Sequence, residues 1–310
     1  MTDKNFKIWG VSFSLIGDLV VGLPQLNYFA KKYPGSYKYW GIHKKMSHAA
    51  PLFYNHPLID RIKITDTWGG FGEYDYELAS ECDFTTRDLD HDRKTLLNAT
   101  PEEYWYNDHD IVEQTARMSG IHDIKEVLTE EYLRPQLYQW FEADFDAVDK
   151  NEGYTKDRTQ SGLIPRKSIV IWPFSGYNHW PARSPTPQWW NTLIDTLINN
   201  DFTIFHCGWI EEPHLSNLEG YNRCVNLSFF EQIKVSLATK LAVGADSGSM
   251  WALGAYSFPA IHLMTNWRDG HVKNFSAMNP VNINGTSYYA PPMTDGWNHQ
   301  QILERIWETT

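Results

Sequence analysis

Two short stretches of this sequence carry residue types that can do chemistry together. Leu241-Ala242-Val243 is an apolar run of strand length, Gly244-Ala245-Asp246-Ser247-Gly248 is a small polar turn, and residues 250–256 resume as a helix. Such a junction aims backbone N–H groups and the positive end of a helix dipole at whatever lies above the strand's carboxyl end, which suits phosphate. Ser247 and Gly248 leave room for the anion. An ordinary Asp/Ser helix cap is the plainer reading of the same residues. The second stretch, Ser14-Leu15-Ile16-Gly17-Asp18, lies near the amino terminus between an expected strand and helix, and sets a carboxylate at a strand end. There it can cap the helix that follows.

Alternating strands and helices must position both. The first half reads as strand 7–13, helix 19–32, strand 37–42, helix 45–54 and strand 61–64, followed by helical patterns at 110–118 and 124–131. The second half reads as strand 168–172, helix 187–199, strand 202–207, helix 229–238, strand 241–243, helix 250–256 and strand 260–263. This is an α/β protein with parallel, doubly wound sheets. Ligands in such folds bind beyond the carboxyl ends of the strands, and the loops at 14–18, 173–176, 208–212 and 246–248 all follow strands.

At 310 residues the chain exceeds the ~250–300 residues of a single core, so two domains are expected. The Gly-, Thr- and Lys-containing stretch 151–167 interrupts the periodicity. The expected division is 1–155 for the first Rossmann-like domain and 156–297 for the second, with a carboxy-terminal helix at 298–310 that packs back on the first. The loop Arg87-Asp-Leu-Asp-His-Asp-Arg93 has overlapping D-x-D patterns. A calcium loop needs Gly where Arg93 stands and an acid where Ala99 stands, so a solvated charged loop is expected.

Composition narrows the function. A net charge of −11 with no Lys/Arg stripe argues against nucleic acid, so any anionic ligand must be held by local groups. Three cysteines without C-x-x-C spacing point to a reducing compartment. No signal-peptide pattern or membrane-length apolar run is present in the sequence, and a cytoplasmic location is the expectation.

Ile16-Gly17-Asp18-Leu19-Val20-Val21-Gly22-Leu23-Pro24, taken in order with Trp180-Pro181, Gly208 and Asp246-Ser247-Gly248-Ser249-Met250, resembles glycosyltransferase family 9. The resemblance spans about residues 7–64 and 168–265. It implies a two-domain GT-B enzyme, heptosyltransferase-like, with the acceptor on the first domain and a nucleotide-diphosphate sugar on the second. The implied donor is ADP-linked, and the implied acceptor is a glycan or lipid-linked, lipopolysaccharide-type molecule. Membrane contact would be transient, at the surface. Asp18 matches the family's catalytic base, and Gly17 would supply a tight turn. Asp246, Ser247 and Gly248 match the nucleotide-sugar loop, with Ser175 and Gly176 adding donors to the diphosphate. Glu212 falls where the family has a ribose-binding glutamate, with Glu211 the alternative.

The departures are specific. The family's Lys before Trp-Pro is missing from Asn178-His179-Trp180-Pro181, which leaves Arg183 or a protonated His179 to neutralise the leaving diphosphate. Trp251 stands where the family has His, and Ser249 where it has Pro. The resemblance thus implies an inverting, metal-independent glycosyltransferase without a resident cofactor. A nucleotide-sugar epimerase of the same architecture and a catalytically decayed nucleotide-sugar binding protein are the alternatives.

Overall fold

The computed structural model describes residues 7–11, 16–54, 56–65, 84–85, 112–113, 116, 121, 123–138, 167–175, 183–265, 284–291 and 294–310. The described residues up to Tyr138 form one compact unit and those from Lys167 onward form another. The charged loop 87–93 and residues 151–166 of the boundary stretch lie outside the described residues.

In the first unit β1 (Lys7–Val11), β2 (Tyr37–His43), β3 (Arg61–Thr65) and β4 (Phe84–Thr85) form a parallel sheet in the order β3-β2-β1-β4. Where a single helix over 19–32 was expected there are two, α1 (Ile16–Val21) and α2 (Pro24–Lys32). Pro24 explains the break. It has no N–H to continue α1, but its fixed φ suits the first turn of a new helix. Because α1 begins at Ile16, Asp18 and Gly17 lie inside its first turn. Gly17 therefore makes no tight turn, and Asp18 is not a helix cap. The expected helix at 45–54 is a run of 3₁₀ turns, Lys44–Phe53, opened by His43 Nδ1 accepting the Lys45 N–H at 3.2 Å. That expected at 124–131 stops as the single turn α3 (Ile124–Val127). Tyr28 and Phe29 of α2 pack with Ala116, Ile121, Ile124 and Leu128 to anchor this face.

The second unit holds six parallel strands, β5 (Ser168–Trp172), β6 (Thr203–His206), β7 (Tyr221–Arg223), β8 (Leu241–Ala245), β9 (Ala260–Thr265) and β10 (Gly285–Ala290). Their order is β10-β9-β8-β5-β6-β7. The edge strands β7 and β10 were not foreseen, since Tyr-Asn-Arg and Gly-Thr-Ser-Tyr-Tyr-Ala carry little apolar signal. Edge strands need less of it, because one side faces water.

One face of this sheet buries Ile169, Ile171, Ile204, Val243, Ile261 and Leu263 against α4 (Pro187–Ile198) and α7 (His299–Thr309). The carboxy-terminal helix buries Ile302, Leu303 and Ile306 in the second unit's core. His299 confirms the docking by stacking on Trp189 with ring centres 4.4 Å apart. The opposite face carries α5 (Phe229–Ala238), closed by the Ser228/Glu231 capping box, and α6 (Gly248–Ala255).

Gly244 is what lets α6 sit close. A Cβ at that position would lie 2.6 Å from Met250 Sδ and 2.9 Å from the Trp172 carbonyl oxygen. Gly244→Ala should therefore cost about 1–3 kcal/mol in urea unfolding, the range for overpacking a well-filled site. An unchanged unfolding midpoint would mean that α6 can move off the sheet freely.

Candidate functional site

The strand order of the second unit reverses between β5 and β8, and at such a switch point the loops leaving the two strands run to opposite faces and open a crevice. Both loops carry candidate residues. After β8, Asp246 and Ser247 lead into α6, whose first residue is Gly248. Ser247 caps the helix, its hydroxyl accepting the Met250 N–H and its carbonyl the Trp251 N–H. The N–H groups of Gly248 and Ser249 have no acceptor within a helix by geometry, so the positive end of α6 opens at this turn.

After β5, the Pro173 carbonyl accepts the indole N–H of Trp190, which ties the loop to α4 at 3.0 Å. Ser175 is buried and its N–H donates to Ser184 Oγ at 2.8 Å. That bond commits the backbone donor that Ser175 was expected to offer a phosphate. It also pins the residue following Arg183 to the strand end. Arg183 Nη1 consequently lies 3.9 Å from Asp246 Oδ2, while Asp246 Oδ1 accepts the Trp251 indole N–H at 3.0 Å. Arg183, Asp246, Ser247 and Gly248 are thus brought together as expected. Gly176, His179 and the Trp180-Pro181 pair lie outside the described residues, and Asp18 is in the other unit.

Two participants were missed. Trp251 was noted only as a departure from the family, yet it fixes one oxygen of Asp246. Tyr289, on the unforeseen β10, lies within electrostatic range of the same carboxylate. Burial pushes its hydroxyl pKa up, a hydrogen bond with Ser287 opposes this, and the Asp246 charge adds to the rise.

Glu212 is the main correction. Its side chain is fully buried, so it does not present a carboxylate to a ribose. Oε1 accepts the Trp209 N–H at 2.9 Å and Oε2 lies 2.9 Å from His206 Nε2. His206 Nδ1 is in turn 2.5 Å from the Tyr221 hydroxyl, which accepts the Leu215 N–H. Burial raises the Glu212 carboxyl to about 8 and lowers the His206 imidazole to about 3, so both are neutral at pH 7. In that state Glu212 Oε2–H donates to His206 Nε2, and His206 Nδ1–H donates to Tyr221. Gly208 is required above it, since a Cβ there would fall 2.2 Å from Glu212 Oε2. Glu211, the alternative, is exposed.

Parallel, doubly wound units with a small-residue turn at a switch point are Rossmann-like, and the similar structures put the fold in the GT-B class. The chain shares it with E. coli ADP-heptose lipopolysaccharide heptosyltransferase II, at 15% identity, TM-score 0.64 and 98% coverage of both chains. It is also similar to E. coli heptosyltransferase WaaC solved with ADP, at 14% identity and TM-score 0.61 over 98% of this chain and 100% of that one. A glycosyltransferase family 9 structure from Veillonella parvula matches at 12% identity and TM-score 0.56 over 100% and 99%. No family model and no curated protein matches the sequence. The heptosyltransferase-like fold expected from the motifs is the fold found.

The buried pair sets a pH dependence whose sign can be worked out. A carboxyl whose folded pKa is raised stabilises fully below its ordinary value of 4.5, and that contribution is lost as pH rises through about 8. The lowered His206 acts only below its ordinary 6.5, so between pH 6.5 and 8 the slope from this pair belongs to Glu212. One proton gives at most ~1.4 kcal/mol per pH unit. Glu212→Gln supplies the same donor and acceptor without a titrating group. Urea unfolding at the two pH values should show a folded variant with a flatter dependence. A slope equal to the parent's would show that Glu212 is not held neutral.

Proposed function

We propose that this protein is an inverting glycosyltransferase that uses a nucleoside-diphosphate sugar. The observation that carries the reading is the second unit's switch point, where Arg183 is held beside Asp246 at the open N-terminus of α6. A leaving diphosphate develops negative charge as the sugar departs, and a helix N-terminus with a positioned cation is suited to stabilising it. A guanidinium can grip two phosphate oxygens at once, which fits Arg183 for the place of the family's absent lysine. In this reading no metal ion is needed at the diphosphate.

The acceptor hydroxyl gives its proton to Asp18 as its oxygen attacks the anomeric carbon. The carbon–oxygen bond to the diphosphate breaks, and the nucleoside diphosphate leaves with the electron pair. The assignment to Asp18 rests on the motif resemblance. The E. coli structures similar to this chain include an ADP-heptose enzyme and one solved with ADP, which favours an ADP-linked heptose donor. A glycan or lipopolysaccharide-type acceptor and a cytoplasmic location complete the proposal. Among the described residues no helix is long and apolar enough to cross a membrane.

Asp18→Asn should lower turnover by about 100-fold or more, the scale of a lost general base, with donor affinity nearly unchanged. Steady-state kinetics set beside donor titration check this, and a proportional loss of binding and rate would move Asp18 to donor contact.

Arg183→Ala should lower kcat by about 10- to 1000-fold, roughly 1.4–4 kcal/mol, with Arg183→Lys recovering only part. Kinetics indistinguishable from the parent would reduce Arg183 to a partner of Asp246.

A further inference from the structure

The loop after β6 spends an unusual number of buried polar groups on a short stretch of backbone. The Gly208 N–H donates to Gln232 Oε1 at 2.7 Å, and Gln232 Nε2 donates back to the Gly208 carbonyl at 3.1 Å. Gln232 also donates to the Leu227 carbonyl at 2.9 Å, so its whole amide is committed. Glu212 takes the Trp209 N–H, as described above. Arg223 Nη2 donates to the Ile210 carbonyl at 2.9 Å and to the carbonyl of Glu212. The backbone from 208 to 212 is therefore held at most of its residues by side chains from β7, α5 and the loop itself.

What this bracing presents to solvent is apolar. Trp209 is 57% exposed and Ile210 is 59% exposed, side by side at the carboxyl end of β6. Two side chains fall far short of the ~800 Å² per partner that a stable protein interface uses. One exposed indole on a braced backbone is instead the size of one flat heterocycle. Fixing it in advance removes the ordering cost that a mobile aromatic would incur on binding.

Its place in the sheet says which end of a ligand it meets. β6 is two strands from β8 in the order β8-β5-β6, about 10 Å along the carboxyl edge at ~4.8 Å per strand. That separation is within reach of an extended nucleoside diphosphate whose phosphates lie at α6. The exposed carboxylate of Glu211 beside the indole repels phosphate, so the base end belongs here.

We infer that Trp209, with Ile210 next to it in the chain, is the platform on which the donor's base stacks, and that Gln232, Glu212 and Arg223 are positioning residues that brace the backbone carrying it. This rests on the nucleotide-sugar reading of the second unit. It replaces the ribose contact expected of Glu212 with a structural role beneath the base.

The test is calorimetric titration of the intact chain with ADP, GDP and UDP, carrying the tightest forward, and with inorganic pyrophosphate as the baseless probe. Trp209→Ala should weaken the nucleotide by about 5- to 150-fold, the range for one base–aromatic stack, and leave pyrophosphate unchanged. Trp209→Phe should stay close to the parent, and both variants should keep the parental melting temperature because the side chain is exposed. Unchanged nucleotide affinity in Trp209→Ala overturns the platform and leaves the donor reading standing. A parent that binds none of the three nucleotides overturns both. Equal weakening of nucleotide and pyrophosphate, or loss of a dimer in sedimentation with nucleotide affinity intact, also overturns the platform, the latter by making the loop a contact between copies.

Discussion

The constraint on which the second unit depends is the reversal of strand order between β5 and β8. Parallel strands need crossover helices, and right-handed crossovers in opposite directions send helices to opposite faces. Here α4 and α7 cover one face, and α5 and α6 cover the other. The connections leaving β5 and β8 therefore diverge to opposite faces at the carboxyl edge of the sheet. The chemistry-bearing turns are placed there by connectivity. Gly244 then refines the placement, because only a residue without a side chain lets Met250 and the first turns of α6 approach the strand so closely.

A second organising feature is the set of polar groups buried beneath the β6 loop. Burying a carboxyl, an imidazole and an amide costs stability unless each finds partners, and a half-satisfied network is worse than an apolar core. The Glu212–His206–Tyr221 chain ends on the Leu215 N–H, and Gln232 is bonded at both its oxygen and its nitrogen. An apolar core would have stabilised β6 and β7 as well. Only directional bonds to successive backbone groups can specify the path of a loop that has no ladder of its own.

The sequence made the central strands and the long helices legible because their apolar periodicity is strong: β5, β8, α4 and α5 lie within a residue or two of where it predicts them. It failed where the signal is not periodic. The edge strands β7 and β10 are polar, and the split between α1 and α2 turns on Pro24, which was read as part of a continuing helix. At the site, the small-residue turn Asp246-Ser247-Gly248 was legible because its residue types have few other uses at a strand end. Glu212 was misread for a general reason. Spacing from Gly208 gives a residue's position along the chain, whereas the direction of its side chain is decided by its bonding partners, here His206 on β6 and the Trp209 N–H. Trp251 shows the converse, a departure from the expected His whose meaning lies in a contact with Asp246 that no local pattern records.

That contact bears on how an acidic protein can hold an anion. At −11 overall, the chain offers no long-range attraction to a diphosphate, and Asp246 at the mouth of α6 would add repulsion at the proposed diphosphate position. The indole N–H of Trp251 turns one oxygen of Asp246 toward the protein interior, and Arg183 faces the other. The carboxylate is thereby both partly neutralised and used as an anchor, holding the guanidinium at the helix N-terminus. Arg183 is about one-fifth exposed, so its pairing with Asp246 contributes little to stability by itself. In the proposed reaction its value lies in orientation: a cation already placed beside the open backbone N–H groups need not be reorganised as charge develops on a leaving group, and this is the condition under which electrostatic stabilisation accelerates a reaction.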